Sequence, residues 1–301
     1  GGGGDLRGQR RPRQVALVAG VMIALRNACL LLLCLALASC SSTTFVYNRL
    51  DFLIPWYARG YVDLDSRQDD RLDELLVPLL QWHRQDELPT YVGLLDDALA
   101  GLDQQVTAEG VNELARQAEA AWFRLEGKAV EQMLVLGAEL DDEQIQQFLD
   151  RLQEDQEKYE KKYLERDDEE FTEDARDGLL DNAQDYLGRL NREQRALTSE
   201  AAARLRRTDR VWLSERAAWI GRLRELLRRE PGWEQAVRDS LAARNDTVDP
   251  EYTTTVAHNT EVVQEWTATL LNSRTDKQDK RLRKRLGNLR EDLQTLSEQA
   301  P

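Results

Sequence analysis

The sequence has few of the side chains on which most catalytic and metal sites depend. Its 301 residues include two histidines, His83 and His258, and three cysteines, all of them within residues 1–40. The chain beyond residue 40 can therefore form no intrachain disulfide. It also contains no Gly-rich phosphate loop, no GxSxG elbow and no HExxH zinc helix. These absences argue against the common phosphotransferase, serine hydrolase and metalloprotease classes, and we expect no catalytic residue, no metal and no cofactor.

Proline and runs of β-branched residues are also scarce, which disfavours a sheet. Only seven prolines are present, charged residues make up 32 % of the chain, and Leu, Ala, Glu and Arg are abundant. Apolar residues recur three and four positions apart from residue 45 onward. The sequence therefore predicts an all-α fold, an elongated multi-helix bundle.

Basic residues are outnumbered, which disfavours a nucleic-acid partner. The net charge is −14, and it becomes −18 for the rest of the chain when the five arginines and one acid of residues 1–40 are set aside. Within this balance, residues 204–229 and 274–290 are each +6, whereas residues 139–181 are −12. A basic face could meet anionic lipid head groups or pair with the acidic middle of the same chain, and we favour a basic face that is paired internally or merely solvated.

The apolar stretch near the N-terminus has the parts of a lipoprotein signal. Arg26 precedes the apolar run 28–37, which ends in Leu37-Ala38-Ser39-Cys40. That ending matches the lipobox, in which small residues precede the cleavage site and the thiol at the new N-terminus carries the lipid. We predict that residues 1–39 are a signal peptide and that Cys40 is lipidated. The alternative, a transmembrane helix over residues 15–38, is interrupted by Arg26.

Two further expectations follow from this segment. Because Met22 would start a compact signal, we expect residues 1–21 to reflect a mis-called start or a fragment. Ser41 stands where an aspartate would favour retention on the inner membrane. We therefore expect a lipid-anchored protein of the outer membrane that faces the periplasm, with inner-membrane anchoring as the alternative.

Helix-capping patterns organise the rest of the chain. Asp65, Asp141 and Asn191 are each followed three residues later by Gln, which is typical of a capping box. Their unequal spacing predicts no internal repeat. We assign residues 40–65 to a lipidated, aromatic-rich segment and 66–298 to a helical bundle, with two sub-bundles that meet near 167–170. The predicted helices span about 66–84, 87–102, 108–137, 142–164, 168–189, 192–229, 232–244, 250–272 and 276–298.

Two local features carry further predictions. Pro55 is expected to kink or divide the stretch 45–61. The last helix has five leucines spaced four, three, four and three residues apart, which forms an a/d seam. We favour packing of this seam within the chain over self-association. The five leucines are Leu282, Leu286, Leu289, Leu293 and Leu296.

Candidate binding residues lie close to the predicted anchor. His83 stands beside carboxylates, but one histidine without a second is a poor zinc site, so we favour a structural role. The aromatic residues near the anchor could lie at the membrane interface or cap the bundle, and we favour capping. The weak binding candidates are Tyr47, Asn48, Trp56, Tyr57, Trp82, His83 and Arg84.

The same region resembles a family of uncharacterised proteobacterial lipoproteins that is defined only as a domain of unknown function. The shared pattern is a lipidated cysteine, then Tyr47-Asn48 and Leu50-Asp51, Trp56-Tyr57, Tyr61-Val62-Asp63-Leu64, and Trp82-His83-Arg84 before Glu87-Leu88-Pro89. The resemblance implies an all-helical envelope protein. It transfers no catalytic residue, because none is established for the family.

Together these features predict a membrane-anchored envelope lipoprotein that serves as an interaction or scaffold module. The alternative is a lipid- or peptide-binding carrier or chaperone in the periplasm, with a pocket between helices. A hydrolase has the weakest support. The expected partners are the membrane, through the N-terminal lipid, and envelope proteins or anionic lipid head groups, but not nucleic acid.

Overall fold

All regular secondary structure in the described part of the chain is helical. The computed structural model describes residues 42–299, and no strand is found in that range. The prediction of an all-α bundle is confirmed. Cys40 and the predicted signal peptide 1–39 lie outside the described residues. None of the described helices is both long enough and apolar enough to span a bilayer.

The described residues form a succession of α-helices with one π-helical turn and one 3-10 turn among them. They are α1 (Ser42–Tyr47), α2 (Leu50–Ala58), α3 (Ser66–Trp82), the π-turn (His83–Glu87), α4 (Leu88–Gly101), α5 (Ala108–Glu139), α6 (Asp142–Leu164), α7 (Asp168–Leu187), α8 (Arg192–Arg204), α9 (Asp209–Leu226), α10 (Trp233–Ala242), the 3-10 turn (Arg244–Asp246), α11 (Pro250–Asn272) and α12 (Asp276–Glu298).

The predicted helix 192–229 is wrong as a single element, because it divides into α8 and α9. Leu205 takes an extended conformation directly after α8. The freed backbone groups of Arg206 bind the Asn259 side chain, which accepts from the amide and donates to the carbonyl at 2.8 Å each. A side chain from α11 thus satisfies backbone groups that the helix would otherwise pair, which local periodicity does not reveal.

The first stretch also divides, but not at the predicted proline. The break between α1 and α2 falls at Asn48 and Arg49, whereas Pro55 lies buried inside α2. A proline inside a helix removes one backbone hydrogen bond. Because α2 is only nine residues long and packs against α3, that loss is confined to one turn.

The predicted capping boxes are confirmed at all three positions. The side chains of Asp65, Asp141 and Asn191 each accept a hydrogen bond from the backbone amide three residues later. The side chain of the glutamine at that later position accepts a hydrogen bond from the backbone amide of the cap residue. Two further capping boxes begin α7 and α12, at Asp167 and Thr275. The box at Asp167 lies at the predicted meeting point of two sub-bundles, and that division of the bundle stays a prediction.

The glutamines of these boxes do more than cap their own helices. Gln68 and Gln144 are both buried, and each Nε2 donates to the other's Oε1, at 2.9 and 2.6 Å. The Nε2 of Gln68 also donates to the carbonyl of Glu139, which lies two residues before the cap residue Asp141. The Nε2 of Gln144 donates in the same way to the carbonyl of Asp63, two residues before the cap residue Asp65. The starts of α3 and α6 are therefore bound together by one closed amide pair.

A second pair repeats this arrangement between α8 and α12. Gln194 and Gln278 exchange the same two hydrogen bonds at 3.0 and 2.9 Å. Gln194 also donates to the carbonyl of Ser273, and Gln278 donates to that of Arg189. These carbonyls again lie two residues before the partner's cap. The chain thus holds two copies of one motif.

Helix contacts repeat in the same way, a likeness between the two halves that the unequal spacing of the caps did not predict. In the first half α5 packs on α3 and α4, and in the second half α11 packs on α8 and α9. The last helix of each half crosses over, since α6 packs on α9 and α12 packs on α4. The equivalent helices α5 and α11 pack on each other. The spacing between caps differs because α10 and the 3-10 turn are inserted in the second half.

The leucine seam of α12 packs within the chain, as predicted. Leu289, Leu293 and Leu296 are buried against Leu88, Val92 and Leu95 of α4. Leu282 is buried in a neighbouring cluster formed with α7 and α11, and Leu286 contacts both clusters. The seam is therefore covered by the chain's own helices and is not available for self-association.

The glutamine pairs predict that replacing one glutamine by alanine lowers the free energy of unfolding substantially. In Gln144→Ala the Nε2 of Gln68 loses one of its two acceptors, and the Asp141 amide and the Asp63 carbonyl lose their Gln144 partner. A buried polar group left unpaired costs about 1–3 kcal/mol. We expect the free energy of unfolding to fall by about 3 kcal/mol. Urea denaturation followed by circular dichroism measures this.

Gln146→Ala is the matched control, since Gln146 lies on the same helix and bonds only to the exposed Asp150. It should change the free energy of unfolding by less than about 0.5 kcal/mol. Equal losses in the two variants would contradict a special role for the pair.

Candidate functional site

The predicted binding residues separate into two groups. Tyr47, Asn48, His83 and Arg84 converge where the end of α1 meets the π-turn. Trp82 immediately precedes the π-turn, and the centre of its ring lies 6.4 Å from the centre of the His83 ring. The Lys128 ammonium lies 5.5 Å from the centre of the Trp82 ring. Trp56 and Tyr57 lie on α2 and take no part in this cluster.

Pro89 gives the π-turn a local cause. Its ring would clash with the carbonyl of Gln85 in an uninterrupted α-helix. Instead the chain widens over His83–Glu87, and the amide of Leu88 donates to the carbonyl of His83, five residues back. The helix then continues as α4 with Pro89 in its first turn, where no amide is needed. The sequence predicted a helix boundary at this point, and the structure has a wide turn within a continuous helix.

His83 forms hydrogen bonds through both ring nitrogens. The Tyr47 hydroxyl lies 2.9 Å from Nδ1, and the Tyr91 hydroxyl lies 3.3 Å from Nε2. A neutral imidazole has one donor and one acceptor, so it can pair with two hydroxyls at once. The Tyr47 ring also stacks on the imidazole with 5.8 Å between ring centres.

Burial keeps the His83 and Tyr47 side chains uncharged at neutral pH. Burial lowers the pKa of His83 to about 4, against the opposing influence of Glu87. Burial also raises the pKa of Tyr47 to about 12, although the nearby Arg84 favours the phenolate. A histidine with so low a pKa is a weak base at neutral pH. The arrangement therefore suits a hydrogen-bonded brace better than proton transfer.

Arg84 joins three parts of the chain. It donates to the Asn48 side chain at 2.9 Å and to the Gln299 side chain at 3.1 Å. Its guanidinium also lies 5.1 Å from the centre of the Tyr47 ring. The turn after α1, the π-turn and the residue after α12 are thus held at one point. We call Tyr47, Asn48, His83, Arg84 and Gln299 the anchor brace, because they attach α1 to the bundle.

An ion pair between a buried carboxylate and an exposed arginine holds the other side of the π-turn. The Glu87 carboxylate is 3 % exposed and accepts two bonds from Arg124 of α5, at 2.7 and 2.8 Å. Thr90 donates to the carbonyl of Glu87 and fixes the first turn of α4. Two-point bonding of this kind sets orientation as well as distance. The π-turn is therefore tied to α5 as well as to α1.

Sequence reasoning missed Tyr91, Gln299 and the Glu87–Arg124 pair. Tyr91 follows His83 by eight residues, close to two helical turns, and this spacing could have indicated a shared face. Gln299 and Arg124 carried no local signal, because their partners lie 215 and 37 residues away. Trp56 and Tyr57 were predicted as part of the site, but their side chains are 63 % and 62 % exposed. The predicted capping role is thus met by Tyr47 but not by these two residues.

The described residues offer few other sites. Within 42–299 no group of three or more His, Cys, Asp or Glu side chains is placed to hold a metal ion. Two surface depressions lie away from the anchor brace. One of about 300 Å³ lies between α6 and α9, and the other, of about 520 Å³, is formed by α9 and α10 and is lined by both charged and apolar residues.

Comparison with known proteins identifies one family. A protein-family model described as a family of unknown function, DUF6279, matches residues 60–253. The matched range includes the π-turn and His83 but begins after Tyr47 and Trp56. No curated protein and no solved structure matches the chain significantly.

The low pKa of His83 predicts a specific loss of stability in acid. Because the folded pKa of about 4 lies below the ordinary value of 6.5, the unfolded chain takes up the proton first as pH falls. This contribution is complete above about pH 6.5 and is lost as pH falls toward 4. From pH 7 to pH 5 the wild type should lose at most about 2 kcal/mol more unfolding free energy than His83→Gln.

Urea denaturation at several pH values measures this difference. Tyr47→Phe is the control, since it removes a hydrogen bond to His83 but keeps the titrating ring. Its stability should be lower by about 1 kcal/mol at pH 7, with most of the wild-type pH dependence retained. Parallel curves for the wild type and His83→Gln would show that His83 is not held neutral by the fold.

Proposed function

The chain belongs to the DUF6279 family of unknown function, and on that premise we propose that it is a membrane-anchored envelope lipoprotein that serves as an interaction or scaffold module. The match transfers no activity, so the proposal depends on this chain's own residues. We place the protein in a proteobacterial envelope, on the outer membrane and facing the periplasm. Anchoring on the inner membrane is the alternative.

The observation that carries the proposal is the lipobox. Leu37-Ala38-Ser39-Cys40 closes an apolar run that follows Arg26, so the positive charge, the apolar stretch and the cleavage box coincide. Each of these features is common by itself, but their order is the one that a lipoprotein signal requires. Lipid on Cys40 would give the protein a stable membrane attachment when several acyl chains are present.

The anchor brace supports this proposal from the structural side. Helix α1 begins at Ser42, two residues after the proposed lipid attachment. Tyr47 and Asn48, at its end, are bonded to His83 and Arg84 of the π-turn. A lipid on Cys40 would therefore be joined to the bundle through a short braced helix and not through a long flexible linker. Such a connection suits a protein whose surface must be held at a defined position relative to the membrane.

Several arginines of the two basic stretches pair with acids of the same chain. Arg207 and Arg229, from the basic stretch 204–229, bind Asp168 and Asp142 of the acidic middle at 2.7 Å each. In the other basic stretch, Arg283 binds Asp103 and Asp279. These arginines hold helices together and are not free to bind an external partner.

A stripe of lysines on α12 is the surface that we propose for a partner. Lys277, Lys280 and Lys284 are exposed and lie three and four residues apart, on one face of the helix. They lie about 20–33 Å along α12 from Gln299, which bonds to the anchor brace. Because the stripe is far from the anchored end, we assign it to an acidic protein surface and not to lipid head groups.

The carrier alternative has less support. A lipid or peptide carrier needs a largely apolar pocket that encloses most of its ligand. The depression formed by α9 and α10 is open to the surface, and its lining includes Arg222, Glu225, Arg228 and Glu230. No observation on the described residues favours this alternative over an interaction module.

The lipid anchor is tested by fatty-acid labelling in a Gram-negative host. Wild-type protein should take up an alkyne-tagged fatty acid, and globomycin should cause a larger precursor to accumulate. Cys40→Ser should abolish the label, because the acyl chains have no sulfur to join. In-gel fluorescence and the mass of the N-terminal peptide measure both effects.

Cys34→Ser is the matched control, since Cys34 lies in the same apolar run but outside the lipobox. It should keep full labelling. An unlabelled wild type, or a label that survives Cys40→Ser, would contradict lipidation at Cys40.

The interaction role is tested by reversing the lysine charges. Lys277→Glu, Lys280→Glu and Lys284→Glu together should abolish crosslinks from the protein to its envelope partner, because the attraction to an acidic surface becomes repulsion. The measurement is in-cell crosslinking followed by mass spectrometry of the affinity-purified product.

A triple charge reversal on α6 is the control, at Lys158, Lys161 and Lys162, which are also exposed. It adds the same negative charge and should leave the crosslink in place. Loss in both variants, or in neither, would contradict the proposed stripe.

A further inference from the structure

The helices nearest the proposed lipid attachment expose aromatic side chains. In the described part of the chain, the large aromatic side chains that lie mostly in solvent are all on α1 and α2. They are Phe45, Phe52, Trp56 and Tyr57, which are 61 %, 60 %, 63 % and 62 % exposed. The other exposed large apolar side chains are not aromatic and lie on α3, α5 and α6, at Val77, Met133, Val135 and Leu164. We call the four aromatic residues the aromatic face.

The exposure of this face follows from how α2 packs. Phe52 and Trp56 are one helical turn apart and therefore share a side of α2. Pro55 is buried on the side that packs against α3. Each exposed ring forgoes the stabilisation of burial, roughly 25 cal/mol per Å² of apolar surface. A cluster of such rings at one end of a protein indicates a surface that is covered in its working state.

The charges around the aromatic face differ from those of the rest of the chain. Residues 42–61 carry Arg49, Arg59 and Asp51, a net charge of +1, whereas the whole chain is −14. Arg59 is paired with Asp69 of α3 at 3.1 Å, so this surface is close to neutral in the fold. The Arg49 guanidinium lies 5.2 Å from the centre of the Phe45 ring. An aromatic surface of low net charge suits the head-group region of a bilayer, where amphipathic rings are favoured. The acidic body would be repelled by the same anionic surface.

We propose that the aromatic face inserts into the head-group region of the membrane that carries the lipid on Cys40. This inference depends on the proposed function, because the lipid fixes which surface is near the bilayer. Cys40 and Ser42 are two residues apart and can be separated by at most about 7 Å. Phe45 lies one helical turn beyond Ser42, about 4.5 Å along α1. The lipid therefore holds Phe45 within about 12 Å of the attachment point.

The anchor brace gives this insertion a structural consequence. Tyr47 and Asn48 join α1 to the π-turn, and the π-turn is joined to α5 through Glu87 and Arg124. Insertion of the aromatic face therefore sets the orientation of the whole bundle, and not only of its first helices. A lipid alone would tether the bundle but leave it free to rotate.

Quenching of tryptophan fluorescence by brominated phospholipid tests the insertion. The full-length lipidated protein is purified from membranes and reconstituted into phosphatidylcholine vesicles with 20 % phosphatidylglycerol, with or without bromine on the acyl chains near the head group. The chain has seven tryptophans, of which Trp56 is in the aromatic face. We expect brominated lipid to quench wild-type emission, and Trp56→Phe to remove most of the quenched component while keeping the ring apolar.

Trp233→Phe is the matched control, since Trp233 is half-buried on α10, and its removal should leave the quenched component intact. Far-UV circular dichroism confirms that both variants stay folded. Equal quenching of wild type and Trp56→Phe, in acylated protein that floats with the vesicles, would overturn the insertion and leave the lipid anchor standing. Protein that carries no acyl chain and does not float would overturn both proposals.

Discussion

The structure depends on two closed pairs of buried glutamines. In each pair, every polar atom of both amides has a partner inside the protein, so neither member can be removed or moved without leaving a buried group unpaired. The partners are 76 residues apart in one pair and 84 in the other. Since each glutamine also closes the cap of its own helix, the same side chain sets where the helix begins and which other helix it meets. A capping box, which is usually a local device, fixes the relation between distant elements in this protein.

The two copies of this motif allow the halves of the chain to be compared with each other. In the second half, α7 packs on α8 and α12 and contributes Ala175, Leu179 and Leu187 to the core. In the first half the corresponding helix is the short α2, which packs on α3 but exposes Phe52 and Trp56. The helices that follow the caps Asp65 and Asn191 also differ. The helix after Asp65 passes through the π-turn without a break, whereas the helix after Asn191 breaks after Arg204. The two halves thus depart from symmetry at α2, next to the proposed anchor, and also after Arg204 and at the inserted α10, which lie far from it in sequence.

The sequence was sufficient for features that local chemistry decides. Helix starts at Asp65, Asp141 and Asn191 could be predicted, because a capping box is contained within four residues. The leucine seam of α12 was also predictable from its spacing. The break after Arg204 could not be predicted, because Asn259, which satisfies the freed backbone, lies 53 residues away. The pairing of the glutamines could not be predicted either. Capping boxes could be recognised in the sequence, but nothing in their spacing indicated that two boxes face each other.

The candidate site shows the same division between local and distant causes. Tyr47, Asn48, His83 and Arg84 could be selected by type and position, yet their role depends on which of them meet. His83 and Arg84 lie in the π-turn, which rotates the helix that follows relative to an uninterrupted α-helix. Because His83 is buried between two tyrosine hydroxyls, a residue that is usually suspected of catalysis serves instead as a neutral bridge. A charged histidine would need water or a carboxylate beside it, and such a site would loosen the attachment of α1. The neutral state of His83 therefore lets it join Tyr47 to the bundle, while the charged Arg84 holds Asn48 and Gln299.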